Sequence, residues 1–199
     1  MLELKKVAVT GNLFSGKSTV CKFLKDSGAF VLSADQIVDD LLKNLQVIQS
    51  LTDIFGKSCI DPQGAVDKVK LAQQVFDHPV LLQQLEALLH PLVLEEIQKK
   101  YLELSRSSTF PLFVVEVPLL FEVGWQYFFD HCVLVIADPK VRMNRYKKEG
   151  RSTKDFLHRQ ARQISSQEAI DFADTVIENN TSFLDLKEKV TTLFRTLTN

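Results

Sequence analysis

Eight consecutive residues, Gly11-Asn12-Leu13-Phe14-Ser15-Gly16-Lys17-Ser18, fit the spacing G-x-x-x-x-G-K-[ST], and Thr19 follows them. The β-rich run Val7-Ala8-Val9-Thr10 leads into this stretch. From Lys17 onward, Val20, Cys21, Phe23 and Leu24 recur at helical spacing until Ser27-Gly28 ends the pattern. A turn of this kind wraps a phosphate chain. Its backbone N–H groups converge on the β-phosphate at a helix N-terminus, where the partial positive charge favours an anion. Gly11, Asn12, Leu13, Phe14, Ser15, Gly16, Lys17, Ser18 and Thr19 are therefore the expected ATP-binding loop. Lys17 would reach the β- and γ-phosphates, and the Ser18 hydroxyl would join the shell of a Mg²⁺ ion. An ordinary glycine turn with an exposed lysine is the weaker reading, because a strand precedes the motif and a helix follows it.

The next segment extends the same order. Ala29-Phe30-Val31-Leu32 reads as a second short strand, and Ser33 with Gln36 makes a capping-box signal for a helix through about Leu45. Strand, turn, helix, strand and helix in succession imply a parallel sheet. Residues 46–105 are mostly helical, interrupted at Gly56 to Gly64, at His78-Pro79 and at His90-Pro91, and read as an inserted helical subdomain. Phe113 to Val117 and His131 to Ile136 are near-continuous apolar runs, the pattern of strands buried on both faces. A short run at Thr175-Val176-Ile177 and a helix from about Ser182 complete an α/β chain with about five parallel strands.

Composition narrows the function classes. At 199 residues the chain suits one domain with sizeable insertions, and its 45% hydrophobic content excludes a disordered or collagenous class. Cys21, Cys59 and Cys132 are odd in number and share no C-x-x-C spacing, so free thiols in a reducing compartment are expected. No secretory pattern opens the sequence, and no apolar run approaches a membrane span, so a cytoplasmic protein without membrane contact is expected. A formal charge of -1 argues against a general nucleic-acid coat. No N-K-x-D accompanies the phosphate loop, which argues against a guanine-specific switch, and Asp61-Pro62-Gln63-Gly64 follows no buried strand and reads as a turn.

Charge is nonetheless concentrated. Between Lys140 and Arg162 stand nine lysines and arginines against Glu149 and Asp155. Such a run is usually a solvated helix face. Beside a phosphate loop, an arginine-rich lid closing on ATP is the better reading, and Arg159 and Gln163 lie one helical turn apart. Asp35, just past the second strand, lies at the carboxyl edge of the sheet, where α/β ligands bind. It would orient an acceptor hydroxyl and take its proton, or merely favour the helix N-terminus. Glu116 near a strand end is either a partner of Mg²⁺ through water or a strand-end polar residue. His90 before Pro91 is either a structural cap or an acceptor contact. Trp125, Tyr127, Phe128 and Phe129 read as core, with a wall for a purine or acyl arm as the alternative.

The loop at Gly11, Ser33-Ala34-Asp35, Leu89-His90-Pro91, Val117-Pro118-Leu119-Leu120-Phe121-Glu122, Gln163-Ile164-Ser165, and Ala173-Asp174 ahead of Ile177-Glu178-Asn179 together resemble dephospho-CoA kinase, in that family's order and across nearly the whole chain. The resemblance implies phosphorylation of the ribose 3′-hydroxyl of dephospho-CoA by ATP, with Mg²⁺ as cofactor, to give coenzyme A. It implies a P-loop core of residues 1–37, 110–139 and 170–199, a helical CoA-binding insertion at 38–109 and a lid at 140–169. Asp35, Lys17, Arg145 and Arg159 would then be catalytic. Asp35, His90, Leu119, Leu120 and Glu122 would bind the acceptor, and Ser18 the metal. The partners would be the small molecules ATP and dephospho-CoA, with a monomer or small homo-oligomer and no nucleic acid.

The chain also departs from the family's pattern. Asn12 and Phe14 stand where glycines are expected, Ser33 replaces one carboxylate, Lys148-Glu149 replaces an Arg-Asp pair, and Ser166 replaces an arginine. Asparagine tolerates unusual backbone angles and phenylalanine does not, so either Phe14 keeps an ordinary backbone or the loop shifts. Two other readings stay open: another small P-loop kinase, such as a nucleoside monophosphate kinase, or a nucleotide-binding regulatory protein with little catalysis.

Overall fold

The apolar runs become the strands of one sheet. In the computed structural model, which describes residues 4–76, 78–107, 109–150 and 153–199 without the side chains of residues 76, 107, 154, 155, 158 and 159, β1 is Lys5–Gly11, β2 Phe30–Ser33, β3 Leu112–Glu116, β4 His131–Ile136 and β5 Thr175–Glu178. All neighbours pair parallel, in the order β2-β3-β1-β4-β5. Val7 to Val9, Phe113 to Val115 and Val133 to Val135 are buried whichever face they point to, as a parallel sheet covered on both sides requires. The helices are α1 Lys17–Asp26, α2 Ala34–Leu41, α3 Leu45–Phe55, α4 Lys68–Phe76, α5 Pro79–Ser107, α6 Pro139–Lys148, α7 Thr153–Gln160, α8 Ser166–Phe172 and α9 Phe183–Thr198.

The chain divides into two compact units, Met1–Ser33 with Glu103–Asn199, and Ala34–Leu102. In the first, Val20 and Leu24 of α1 and Val190 and Leu193 of α9 pack with Val7, Val9, Val114, Val133 and Val135 of the sheet. Because every strand runs the same way, Gly11, Ser33, Glu116, Ile136 and Glu178 all end at one edge of the sheet, where α/β proteins place their ligands.

The second unit is helical, as its pattern predicts. Its core gathers Leu42, Val47, Leu51, Phe55, Cys59, Leu71, Val75 and Leu89. Asp61 and Gly64 form the expected turn, with Asp61 Oδ1 accepting from Gln63 N and Ala65 N. Two helix boundaries differ from the sequence reading. The helix after Ser33 ends at Leu41 rather than about Leu45, because Leu42 turns into the core and Asn44 caps the next helix, accepting from Gln46 N at 2.8 Å. The expected break at His90-Pro91 does not occur, and α5 runs through it. A proline there removes one helical hydrogen bond, a cost of about 3 kcal/mol. Leu89, Val93 and Ile97, four residues apart and all buried, carry one apolar stripe across the proline and hold the helix on both sides.

The aromatic segment divides. Trp125 is buried as core, whereas Tyr127 is 86% exposed and Phe128 is exposed beside it.

Candidate phosphate-binding site

The end of β1 and the start of α1 build the loop, and two glycines make its shape available. Gly11 has φ +141°, and a Cβ there would lie 1.9 Å from the Val135 carbonyl oxygen of β4. Gly16, at φ +104°, caps α1, and a Cβ there would lie 2.3 Å from Asn179 Nδ2. The first turn of α1 carries no acidic residue, so its positive end is left for an anion. Lys17 is buried and donates to the carbonyls of Gly11 and Asn12, both at 3.0 Å. Its ammonium thus lies across the loop rather than in solvent. Ser18 Oγ donates to Glu116 Oε1 at 2.9 Å. A hydroxyl beside a carboxylate is a donor set that suits a hard cation taking most of its shell from phosphate and water.

Behind this pair, burial and then the charge of Glu116 push the Cys21 thiol far above its usual range. Cys21 is a neutral core group rather than a nucleophile.

Phe14 does not keep an ordinary backbone. Its φ is +60°, the left-handed region, and it is the one such residue other than glycine among the described residues. That conformation costs a side-chain-bearing residue roughly 1–2 kcal/mol. The Phe14 ring meets Tyr146 of α6 edge-on, with centroids 4.8 Å apart, an arrangement worth about 0.5–1.5 kcal/mol beyond the area it buries. The loop keeps its course because this contact offsets much of the strain.

A second layer of side chains holds the loop carbonyls. Arg145 Nη1 donates to Phe14 O at 3.3 Å and Ser15 O at 3.1 Å, and its Nη2 donates to Asn179 O at 2.9 Å. Asn179 Nδ2 donates to Ser15 O at 2.7 Å. Gln163 grips the other side: its Oε1 accepts from Leu13 N at 2.8 Å and its Nε2 donates to Gly11 O at 3.2 Å. Ser166 Oγ donates to Asn12 Oδ1 at 3.3 Å, so two of the residues that depart from the family's pattern bond each other at the loop. Glu122 Oε1 accepts from Ile164 N at 3.0 Å, tying the segment after β3 to the segment after α7.

The structure therefore brings Gly11 to Thr19, Arg145, Gln163 and Glu122 together. Leu120 of the same segment is fully buried and Leu119 partly so. The Arg159 side chain lies outside the described residues. Asp35 and His90 belong to the second unit. Asp35 is exposed in the first turn of α2, two residues past the end of β2. His90 is half-buried in α5, and burial holds its imidazole below the usual range, opposed by Glu86.

Three contributors carry little sequence signal. Tyr146 and Arg142 are hidden within the basic run. Arg142 is buried, donates to Ala137 O and stands over the Phe156 ring, and burial lowers its pKa. Asn179 follows β5 directly, at the same sheet edge that drew attention to Asp35, and that position was the available clue.

Among known proteins, a family model described as dephospho-CoA kinase matches residues 5–185. The chain is 42% identical to the dephospho-CoA kinase of Protochlamydia amoebophila, over 99% of this chain and 98% of that one. It superposes on the crystal structure of TT1252 from Thermus thermophilus with a TM-score of 0.85 and 33% identity, covering 99% of this chain and 100% of the other. Dephospho-CoA kinase from Campylobacter jejuni shares the fold at a TM-score of 0.64 and 21% identity, over 98% and 97% of the two chains.

Proposed function

Since the chain belongs to the dephospho-CoA kinase family, we propose that it transfers the γ-phosphoryl group of ATP to the ribose 3′-hydroxyl of dephospho-CoA, giving coenzyme A and ADP. The observation that carries this reading is the loop itself, with Lys17 laid across it and Ser18 paired to Glu116 at 2.9 Å. On binding, Lys17 exchanges its two loop carbonyls for phosphate oxygens, and the α1 N-terminus receives the β-phosphate. Ser18 and, through water, Glu116 would hold Mg²⁺, which would supply positive charge to offset that of the phosphates.

Asp35 accepts the proton of the attacking 3′-hydroxyl, the bond from the γ-phosphorus to the ADP oxygen breaks as the new P–O bond forms, ADP leaves, and the Asp35 carboxyl then releases its proton to water. Arg145 and Arg159 supply positive charge as the 140–169 segment closes on the nucleotide. In its present pose Arg145 shapes the loop through Phe14 O and Ser15 O. The acceptor contacts that the family resemblance implies are His90 in the helical unit and Leu119, Leu120 and Glu122 after β3, with buried Leu120 supporting its own segment. The setting is cytoplasmic, as three buried thiols suit a reducing compartment, and the partners are the two small molecules, with the protein a monomer or small homo-oligomer.

The test is incubation with Mg²⁺-ATP and, separately, dephospho-CoA, AMP, CMP or no acceptor, following ADP and phosphorylated product. ADP with dephospho-CoA alone, together with CoA, is expected, and Lys17→Ala should abolish it. ADP formed with AMP or CMP instead would move the protein to the nucleoside monophosphate kinases. ATP binding without transfer to any acceptor would make it a binding protein.

A further inference from the structure

The left-handed backbone at Phe14 has a built support that glycine at the same position would not need. Tyr146 has no exposed surface and Phe156 is 2% exposed. The rings succeed one another edge-on, Phe14 to Tyr146 at 4.8 Å and 72°, and Tyr146 to Phe156 at 5.2 Å and 73°. The Arg142 guanidinium lies 5.6 Å from the Phe156 centroid, anchored by its bond to Ala137 O. Arg145, the residue before Tyr146, holds the carbonyls of Phe14 and Ser15. One turn of α6 thus grips the loop twice, by ring and by backbone.

We propose that Phe14 and Tyr146 are a positioning pair for nucleotide: Tyr146, clamped by Phe156, holds Phe14 in the left-handed conformation, and α6 and α7 thereby set the affinity of the loop for phosphate. This rests on the reading of Gly11 to Thr19 as the ATP loop. If Phe14 relaxes toward negative φ, the turn closed by Ser15 N donating to Asn12 O at 3.1 Å opens, and the Gly16 amide turns away from the converging arrangement that a phosphate needs. A glycine holds that angle without help, so the pair substitutes packing for the backbone freedom that the family's usual glycine supplies.

The experiment is a double-mutant cycle read by calorimetric binding of Mg²⁺-ADP, by kcat and KM for ATP, and by amide hydrogen exchange at residues 14–16 in nucleotide-free protein. Tyr146→Leu, which keeps apolar volume but loses the ring, should raise the ADP Kd and the ATP KM roughly two- to tenfold, with a smaller effect on kcat. Tyr146→Phe, which keeps the ring, should stay closer to wild-type values than Tyr146→Leu. In a Phe14→Gly background, Tyr146→Leu should change neither Kd nor loop exchange. Phe14→Leu, which leaves α6 and α7 intact, should raise Kd as Tyr146→Leu does and serves if that variant does not fold.

An equal effect of Tyr146→Leu in both backgrounds would make the ring a core filler and overturn the proposal, as would no effect in the wild-type background. The reading of the loop itself fails separately, if Lys17→Ala binds ADP as the wild type does. The exchange rates then decide the clasp on their own.

Discussion

Arg145 Nη2 donates to the Asn179 main-chain carbonyl at 2.9 Å, and the two side chains converge on a single acceptor, the Ser15 carbonyl in the middle of the phosphate loop. The pair joins the helix after β4 to the residue after β5 across the loop that follows β1. Arginine suits this position because its planar fork reaches several carbonyls at once, whereas a lysine ammonium is a point charge on a flexible stem. Arg145→Lys should therefore lower stability by about 1–2 kcal/mol, a fall of roughly 2–8 °C in Tm for a chain of this size. It should raise the KM for ATP more than it changes the KM for the acceptor. Thermal unfolding and initial rates check both, and an unchanged Tm with unchanged KM would remove Arg145 from the loop's support.

Gly11 is irreplaceable for a steric reason. A Cβ would sit 1.9 Å from the Val135 carbonyl oxygen, and φ at +141° penalises any side chain. Gly11→Ala should cost about 2–4 kcal/mol, because the obstacle is strand backbone that cannot rotate away. Urea unfolding measures this directly. The same change at Gly28, which has open space around its would-be Cβ, should cost only the backbone penalty of about 1–2 kcal/mol.

Asp35→Asn separates chemistry from binding. If its carboxylate accepts the 3′-hydroxyl proton, the isosteric amide should lower kcat by about 10²–10⁴ while leaving the KM for ATP near the wild-type value. A variant with unchanged turnover would leave Asp35 as a residue of the first turn of α2 and nothing more.

Acid should destabilise the fold in a window set by its histidines. Burial holds His131 below its usual 6.5, with Lys5 acting the same way and Asp174 opposing, and burial does likewise for His90 against Glu86. A depressed folded pKa means the unfolded chain binds protons first, so stability is full above about 6.5 and falls as pH drops below it. His131 Nε2 lies 2.8 Å from Thr175 Oγ1, pairing β4 with β5. Urea midpoints taken from pH 7.5 to 5 should decline below 6.5, and His131→Gln should flatten the decline. A midpoint independent of pH across that range would show that neither histidine is held neutral by the fold.

The features legible in the sequence are those set by neighbours along the chain. The G-x-x-x-x-G-K-[ST] spacing locates the loop because the residues that shape it are adjacent. The near-continuous apolar runs of β1, β3 and β4 give parallel strands because residues on both of their faces must avoid water. Ser182 caps the last helix, accepting from Asp185 N, through contacts three residues apart. Where local signals misled, a longer-range force prevailed. Pro91 would end an isolated helix, but the stripe of Leu89, Val93 and Ile97 is buried on both sides of it.

What only the tertiary structure decided is the set of partners that hold the loop. Arg145, Tyr146, Gln163 and Asn179 lie more than a hundred residues beyond it in the chain. Arg145, Gln163 and Asn179 stand in stretches that the family resemblance singles out, but nothing local to any of the four shows that it grips the loop's own backbone or its Phe14 ring. They reach the loop because the order β1-β4-β5 places the carboxyl ends of β4 and β5 beside that of β1, and everything that follows those strands must emerge there. The positive φ at Phe14 belongs to the same class. From the sequence, a phenylalanine argues against that angle, and the contact with Tyr146 that accompanies it offsets much of a local preference of about 1–2 kcal/mol.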